Sequence, residues 1–346
     1  MQTVTVQDGE AVETTAGAIP RVATRWDWRD TFGAWRVRWG IGRMRYTVAP
    51  RLYAVGRPGP DAPVFASANY KLSFDHLRRA LAGMDGWVLV LDTRGVNVWC
   101  AAGKGTFGTA ELVRRIQAVQ LDRVVSHRRI ILPQLSAPGV DARLAAQESG
   151  FTVVFGPVYA RDIPRFLTEG NRLPLACRRV QFTWRERLAV APLELVIHAR
   201  GLLAVGLALS VLACLGPHGF DGARVRAQAL PALVLWLATY VLAGFLGPLL
   251  LPWLPTRSFA IKGAWLGMLL ALSGALLWGA NWSFWRLSAW ILTVGAGASF
   301  LLLNFTGCTT FTSPSGVRRE VRLALPAIIA CGLGGLALWT WAGLRS

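Results

Sequence analysis

Hydrophobic residues follow two different patterns in the two halves of this 346-residue chain. Between about residues 61 and 175, short apolar runs alternate with amphipathic stretches. From about Gly201 onward, the sequence consists of long blocks that are nearly free of charge. The first pattern is typical of alternating strands and helices, and the second is typical of membrane-spanning helices. We therefore predict an α/β domain followed by an all-α transmembrane domain.

The apolar runs of the first half predict a parallel sheet. Strands are predicted at 64–66, 87–92, 129–132 and 151–155, and helices at 74–84, 109–120, 141–149 and 164–169. Strands that are almost continuously apolar and are separated by helices indicate a parallel sheet with helices on both faces. Ligands of such sheets bind outside the carboxyl ends of the strands.

The flanking segments complete the predicted domain organisation. Residues 1–60 are predicted to be a leader, disordered to about residue 20, followed by an irregular wrap around the α/β domain of residues 61–175. Residues 176–198 form a basic, amphipathic linker that either lies on an anionic membrane surface or is a plain soluble helix. Residues 199–346 form the transmembrane domain.

The charge-free blocks predict five spans, each near the roughly 20 residues that cross a bilayer. They lie at about 200–217, 228–250, 262–281, 285–306 and 323–343, and the first span could begin nearer Leu193. The basic linker, Arg257 with Lys262, and Arg318, Arg319 and Arg322 would share one side of the membrane. Since the side richer in Lys and Arg is cytoplasmic, we expect a multi-pass protein of the inner membrane with the α/β domain inside and the C-terminus outside.

Charge and cysteine content narrow the choice of partner and cofactor. A formal net charge of +18 would suit a nucleic-acid partner in a soluble protein, but the arginines are scattered and no nucleic-acid module is recognisable, so we predict none. The five cysteines contain no CxxC pair, so we expect no iron–sulfur cluster in this chain. They are Cys100, Cys177, Cys214, Cys308 and Cys331.

One motif concentrates the candidate chemistry: residues 97–104, Asn-Val-Trp-Cys-Ala-Ala-Gly-Lys, which follow the predicted strand 87–92. The small residues Ala101, Ala102 and Gly103 beside Cys100 leave room for a large flat ligand against the backbone. Gly103-x-Gly105-x-x-Gly108 overlaps this motif and matches a dinucleotide fingerprint, which would make the protein a membrane-anchored oxidoreductase. About ten residues separate the strand from Gly103, whereas the fingerprint needs a tight turn.

The octapeptide resembles the signature of the corrinoid protein family of microbial mercury methylation. The resemblance extends to residues 67–73, 105–109, 127–135, 309–313 and 316–317, and so covers nearly the whole chain. The corrinoid domain of that family is similar to the large subunit of the corrinoid iron–sulfur protein.

This resemblance implies a site and a function. Cys100 would be the catalytic residue, its thiolate binding the cobalt of a cobalamin-type corrinoid from below. A helix beginning at Ala101–Lys104 would favour that thiolate. The residues expected to contact the cofactor are Asn97, Val98, Trp99, Cys100, Ala101, Ala102, Gly103, Lys104, Asn69, Tyr70 and Gln134.

The implied activity is methyl transfer from a methyltetrahydrofolate-type donor to mercuric ion, giving methylmercury. The implied protein partners are a small ferredoxin-like protein with two iron–sulfur clusters, which reduces the cobalt, and a methyltransferase that supplies the methyl group. A corrinoid methyl carrier with a different acceptor is the alternative. Neither the residues nor the resemblance gives Cys308 a role.

Overall fold

The computed structural model describes residues 11–172, 174–278, 282–309 and 312–345. These residues form two compact units. The N-terminal unit ends at Gln181. The C-terminal unit consists of the chain from Phe182 onward together with residues 38–40, which the N-terminal unit therefore lacks.

Seven strands lie in the N-terminal unit among the described residues: β1 (Val12–Thr14), β2 (Gly17–Ile19), β3 (Leu52–Val55), β4 (Val64–Ala68), β5 (Gly86–Leu91), β6 (Arg129–Leu132) and β7 (Thr152–Phe155). Strands β1 and β2 form an antiparallel hairpin. The other five form one sheet in the order β3-β5-β4-β6-β7. Within it, β4 is parallel to β5 and β6, β6 is parallel to β7, and β3 is antiparallel to β5.

The helices of this unit are α1 (Trp28–Arg38), α2 (Lys71–Ala80), α3 (Val98–Gly103), α4 (Thr109–Ala118), α5 (Leu121–Val124), α6 (Ala142–Ser149) and α7 (Ile163–Thr168). Successive side chains of a strand point to opposite faces of a sheet. Leu89 and Leu91 of β5 accordingly pack in one core with Leu112 of α4, whereas Val88 of β5 packs in another with Phe74 of α2. The predicted α/β class, with helices on both faces of the sheet, is confirmed.

The N-terminal segment is more ordered than its composition predicts. Residues 12–19 form the β1–β2 hairpin, so the expectation of disorder is wrong there. The turn uses Gly17 at a φ of +106°, and Ile19 is buried in the core. The segment expected to be irregular contains α1 and β3. The β3 run is apolar and fully buried, and its pairing with β5 adds an antiparallel edge to a sheet expected to be parallel throughout.

The C-terminal unit contains α8 (Trp184–Ala213), α9 (Leu230–Leu250), α10 (Phe259–Trp278), α11 (Phe284–Phe305) and α12 (Pro314–Leu344), with a small hairpin of β8 (Leu215–Gly216) and β9 (Gly219–Phe220). Within the described residues, five helices are long and apolar enough to cross a membrane, as predicted. Helix α8 begins well before residue 200 because Thr183 and Glu186 form a capping box at its start. The side of the membrane on which each end lies stays a prediction.

A buried network of four charges joins α1 to α2. The Lys71 Nζ lies 2.8 Å from Asp30 and 2.6 Å from Asp75. The Arg78 guanidinium lies 2.6 Å from Asp30 and 2.7 Å from Asp75. The two positive and two negative groups balance, which allows them to remain charged in the interior.

The network shifts the pKa values of Asp30, Lys71 and Arg78. Burial alone would raise the pKa of Asp30, but hydrogen bonds from Lys71 and Arg78 hold it below its ordinary value of 3.8. Burial alone would lower the pKa of Lys71, but the charge of Asp75 and the hydrogen bonds to Asp30 and Asp75 raise it. Asp30, Lys71 and Arg78 are therefore charged at neutral pH.

We predict that Asp30→Asn destabilises the α1–α2 contact by about 3 kcal/mol, because it leaves two buried cations with one carboxylate. Native-state amide hydrogen exchange of α2 in the purified full-length protein measures this local free energy. Since the pKa of Asp30 is lowered in the folded protein, its contribution is complete above the unfolded value of 3.8 and is lost as the pH falls through the folded value. The difference between wild type and variant should therefore shrink below about pH 4.

The control is Asp122→Asn, which changes an exposed carboxylate on α5. We expect it to alter stability by less than about 0.5 kcal/mol. Equal exchange of α2 in wild type and Asp30→Asn at pH 7 would contradict the role given to the network.

Candidate functional site

The candidate site lies in the N-terminal unit, where β4, β5 and β6 end and the chain leaves the sheet. The segment after β4 is residues 69–70, the loop after β5 is 92–97, and the loop after β6 is 133–141. Helix α3, which carries Cys100, follows the second of these and packs against the turn Gln134–Ser136 in the third. The octapeptide therefore lies at the edge of the sheet where the sequence predicts a ligand.

The first turn of α3 holds Cys100. Asn97 is the N-cap, and its Oδ1 accepts a hydrogen bond from the backbone N–H of Cys100 at 3.0 Å. Asn is a preferred residue at this position because its side chain satisfies an unpaired N–H of the first turn. Helix α3 thus begins at Val98 and not at Ala101–Lys104 as expected, and Lys104 is its C-cap. Cys100 itself is exposed.

Small residues fix α3 to the core. Ala101 and Ala102 are buried, and a Cβ on Gly139 would lie 2.9 Å from the Ala102 Cα and 2.4 Å from the Phe107 carbonyl oxygen. The loop after β6 therefore presses directly on the backbone of α3. A Cβ added to Gly103 or Gly105 would contact no neighbouring group within 4 Å, so there is open space over these two glycines, which follow Cys100 closely in the chain.

Asn69 organises the loop that leads to the cysteine. Its Oδ1 accepts hydrogen bonds from the backbone N–H groups of Thr93, at 3.2 Å, and Gly95, at 2.9 Å. Its Nδ2 donates to Asp92 at 3.3 Å. The Asn69 side chain is buried, so it ties the end of β4 to the loop after β5 and positions that loop.

The remaining residues expected at the site differ in exposure. Tyr70 is buried, and its hydroxyl accepts a hydrogen bond from Arg43 at 3.2 Å. Val98, Trp99 and Gln134 are half-buried, and Gly103 and Lys104 are exposed. The Gln134 Oε1 is a buried oxygen without a hydrogen-bond partner among the described residues.

Two residues that hold the loop after β5 were not predicted from the sequence. Thr93 is fully buried, and its hydroxyl donates to the Val96 carbonyl oxygen at 2.7 Å. Glu111 of α4 accepts a hydrogen bond from the Asp92 N–H at 2.7 Å. The turn-forming run Asp92–Gly95 directly after an apolar strand is the signal that could have identified Thr93.

The glycine motif does not form a dinucleotide turn. Gly108 is the N-cap of α4, but Gly103 is the last residue of α3, which follows β5 and the loop 92–97. The fingerprint requires a tight turn from strand to helix so that the helix N-terminus meets the pyrophosphate. The oxidoreductase alternative therefore loses the geometry on which it depended.

Comparisons with known proteins show what the N-terminal unit is similar to. Residues 42–167 match the family model described as CO dehydrogenase/acetyl-CoA synthase delta subunit. Similar proteins include the acetyl-CoA decarbonylase/synthase complex subunit gamma of Archaeoglobus fulgidus, 34% identical over 130 residues, and that of Methanopyrus kandleri, 32% identical over 130 residues. Each alignment covers 36% of this chain and 27% of the relative. The chain thus matches only about a quarter of the length of these relatives.

The similarity of the α/β unit to these proteins is consistent with the relation to the large subunit of the corrinoid iron–sulfur protein that the sequence motifs indicated. The matched region runs from Gly42, ahead of β3, to Leu167 in α7. It includes Asn69, Cys100 and Gln134, whereas the five apolar helices lie outside it.

We predict that Asn69→Ala loosens the loop after β5. The substitution removes the acceptor of two backbone N–H groups, and each unsatisfied buried group costs about 1–3 kcal/mol. Amide exchange of Thr93 and Gly95 should accelerate by at least about tenfold, with smaller effects on β7. Gln117→Ala, an exposed amide on α4, serves as the control. Unchanged exchange at Thr93 and Gly95 would show that Asn69 does not hold this loop.

Proposed function

We propose that this protein is a membrane-anchored corrinoid methyltransferase that passes a methyl group to mercuric ion. The observation that carries the proposal is the exposed Cys100 on a capped helix at the carboxyl edge of the sheet, within the region related to corrinoid proteins. The resemblance of the octapeptide to the mercury-methylation family supports the acceptor.

The residues around Cys100 fit a corrinoid. A large flat macrocycle needs open space beside the thiol, and that space lies over Gly103 and Gly105. The peripheral amide groups of a corrinoid can donate hydrogen bonds, and the buried Gln134 Oε1 is a matching acceptor. When bound, the corrinoid would supply the chemistry for transferring a methyl group from a methyltetrahydrofolate-type donor to Hg²⁺, giving CH₃Hg⁺.

The chain's own residues would hold the cofactor and position the thiol. The Cys100 thiolate would hold the cobalt, and its sulfur would donate electron density to the metal. Asn97 holds the first turn of α3, and Asn69 holds the preceding loop, so both are positioning residues. Ala102 and Gly139 fix α3 by close backbone packing, which limits movement of the sulfur.

Two kinds of partner follow from this assignment. A small ferredoxin-like protein with two iron–sulfur clusters would return the cofactor to its reactive oxidation state, and a methyltransferase would supply the methyl group. The apolar helices would anchor the unit in the inner membrane with the corrinoid in the cytoplasm, in accordance with the Arg and Lys content of the loops.

A second candidate is a corrinoid methyl carrier with a different acceptor. The matched relatives favour it, since their names refer to an acetyl-CoA decarbonylase/synthase complex and not to mercury. The ligand to cobalt does not by itself determine the acceptor.

We expect the purified full-length protein, reconstituted with cobalamin under reducing conditions, to show a corrinoid spectrum that depends on Cys100. Cys100→Ala should remove the sulfur-to-cobalt features and move the visible bands. Cys177→Ala, a half-buried thiol of the same unit, should leave the spectrum unchanged. A wild-type protein that binds no corrinoid, or identical spectra for wild type and Cys100→Ala, would refute the assignment.

We further expect the reduced, corrinoid-loaded protein to transfer a labelled methyl group to Hg²⁺. Loss of the direct ligand in Cys100→Ala should slow transfer by about 100-fold or more, since even supporting residues of metal sites contribute 10–100-fold. Labelled methylmercury is quantified after extraction, with Cys214→Ala as the control for a buried thiol in the C-terminal unit. A label that reaches cobalt and then passes to thiols but not to mercury would favour the second candidate.

A further inference from the structure

The C-terminal unit contains a long cleft that the proposed methyl transfer does not use. Its floor is α11 and its walls are α10 and α12, and its volume is about 840 Å³. Its lining is mainly apolar, with residues about one helical turn apart on each element. Representative lining residues are Ala264 and Met268 of α10, Gly295 and Ser299 of α11, and Ala327 and Cys331 of α12.

Glycines explain why the cleft is there. A Cβ on Gly263 would lie 2.5 Å from the Ala298 carbonyl oxygen, and one on Gly267 would lie 2.8 Å from the Gly295 Cα. A Cβ on Gly335 would lie 2.4 Å from the Thr293 hydroxyl. Both α10 and α12 therefore press closely on α11, at different heights, and a cleft stays open between them.

The two ends of the cleft differ in charge. Arg257 precedes α10, and Arg319 and Glu320 lie in the first turns of α12, so all three line the same end. Glu320 is already engaged, since it accepts hydrogen bonds from the Ser258 hydroxyl at 2.8 Å and the Ala260 N–H at 2.9 Å. This end is thus lined by two exposed guanidinium groups and by one carboxylate that is already hydrogen-bonded. It therefore carries excess positive charge.

We propose that this cleft binds one anionic phospholipid, with an acyl chain between α10 and α12 and the phosphate at Arg257 and Arg319. Apolar walls suit a hydrocarbon chain, and arginine binds phosphate through paired hydrogen bonds. Along α12 the lining runs from Gly316 to Cys331, about 22 Å at 1.5 Å per residue. This length exceeds half of a hydrocarbon core of about 30 Å, so one acyl chain fits within the cleft.

The charge pattern favours an anionic lipid over a zwitterionic one. Basic pockets between transmembrane helices are typical binding sites for anionic headgroups, and they lie on the cytoplasmic side. The sequence predicts that the loop with Arg257 and the start of α12 are cytoplasmic, which places the two arginines beside the anionic leaflet.

The test uses delipidated full-length protein in detergent and native mass spectrometry with phosphatidylglycerol and phosphatidylcholine of identical acyl chains. We expect phosphatidylglycerol to bind roughly 10–30-fold more tightly, the contribution of two basic groups. Arg257→Gln combined with Arg319→Gln should abolish this preference. Arg318→Gln removes a neighbouring charge that does not line the cleft and should preserve it. Ala327→Phe, which fills the cleft, should weaken binding of both lipids.

Four results would overturn the proposal. Equal affinity for both lipids, or an unchanged preference in the double arginine variant, would remove the headgroup site. Full competition by glycerol phosphate at the same concentration would show that a free anion suffices. A concentration-dependent dimer that protects Cys331 from maleimide would assign the cleft to a second copy of this chain.

Discussion

The hydrogen bonds of Asn69 determine the geometry of the candidate site more than any contact of the cysteine itself. A thiol that binds a large ligand has to be exposed, yet an exposed residue receives little packing from its surroundings. Asn69 supplies the missing support from the interior, because its buried amide joins the end of β4 to two backbone N–H groups of the loop after β5. That loop leads directly to Asn97, which caps the helix of Cys100. The position of the sulfur is therefore set by buried groups that a ligand need not touch.

The small residues of the octapeptide have two different functions. The sequence suggested that Ala101, Ala102 and Gly103 together make room for a flat ligand. In the structure Ala101 and Ala102 face the core, and Gly139 approaches the Ala102 backbone too closely for any side chain. Only Gly103, with Gly105, faces open space. Small size thus secures the helix on its inner side and leaves space on its outer side.

The sequence predicted those elements whose signal is local. The apolar runs of β4, β5, β6 and β7 are continuous, and β6 occurs at the predicted residues 129–132. Strand β3 was missed because its place in the sheet depends on residues outside its own segment, through pairing with β5 and a bridge between Ala54 and Arg21. The charge network was missed for the same reason, since Lys71 and Asp30 are 41 positions apart. Likewise, the octapeptide singled out Cys100 as a candidate, but the hydrogen bonds of Asn69 and Thr93 to the preceding loop could be seen only in the folded structure.

The large positive charge of the chain also has a structural explanation in part. Arg78 is buried against two carboxylates, and Arg115 binds Glu111 and the Pro50 carbonyl oxygen at 2.8 Å. In the C-terminal unit Arg224 donates to the carbonyl oxygens of Leu215 and Gly343, both at 3.0 Å. Guanidinium groups suit these positions because one side chain offers five donors in a fixed plane. A count of arginines therefore overstates the charge available to a partner. Arg257 and Arg319 remain exposed near the ends of apolar helices, which is where membrane-spanning helices typically carry positive charge.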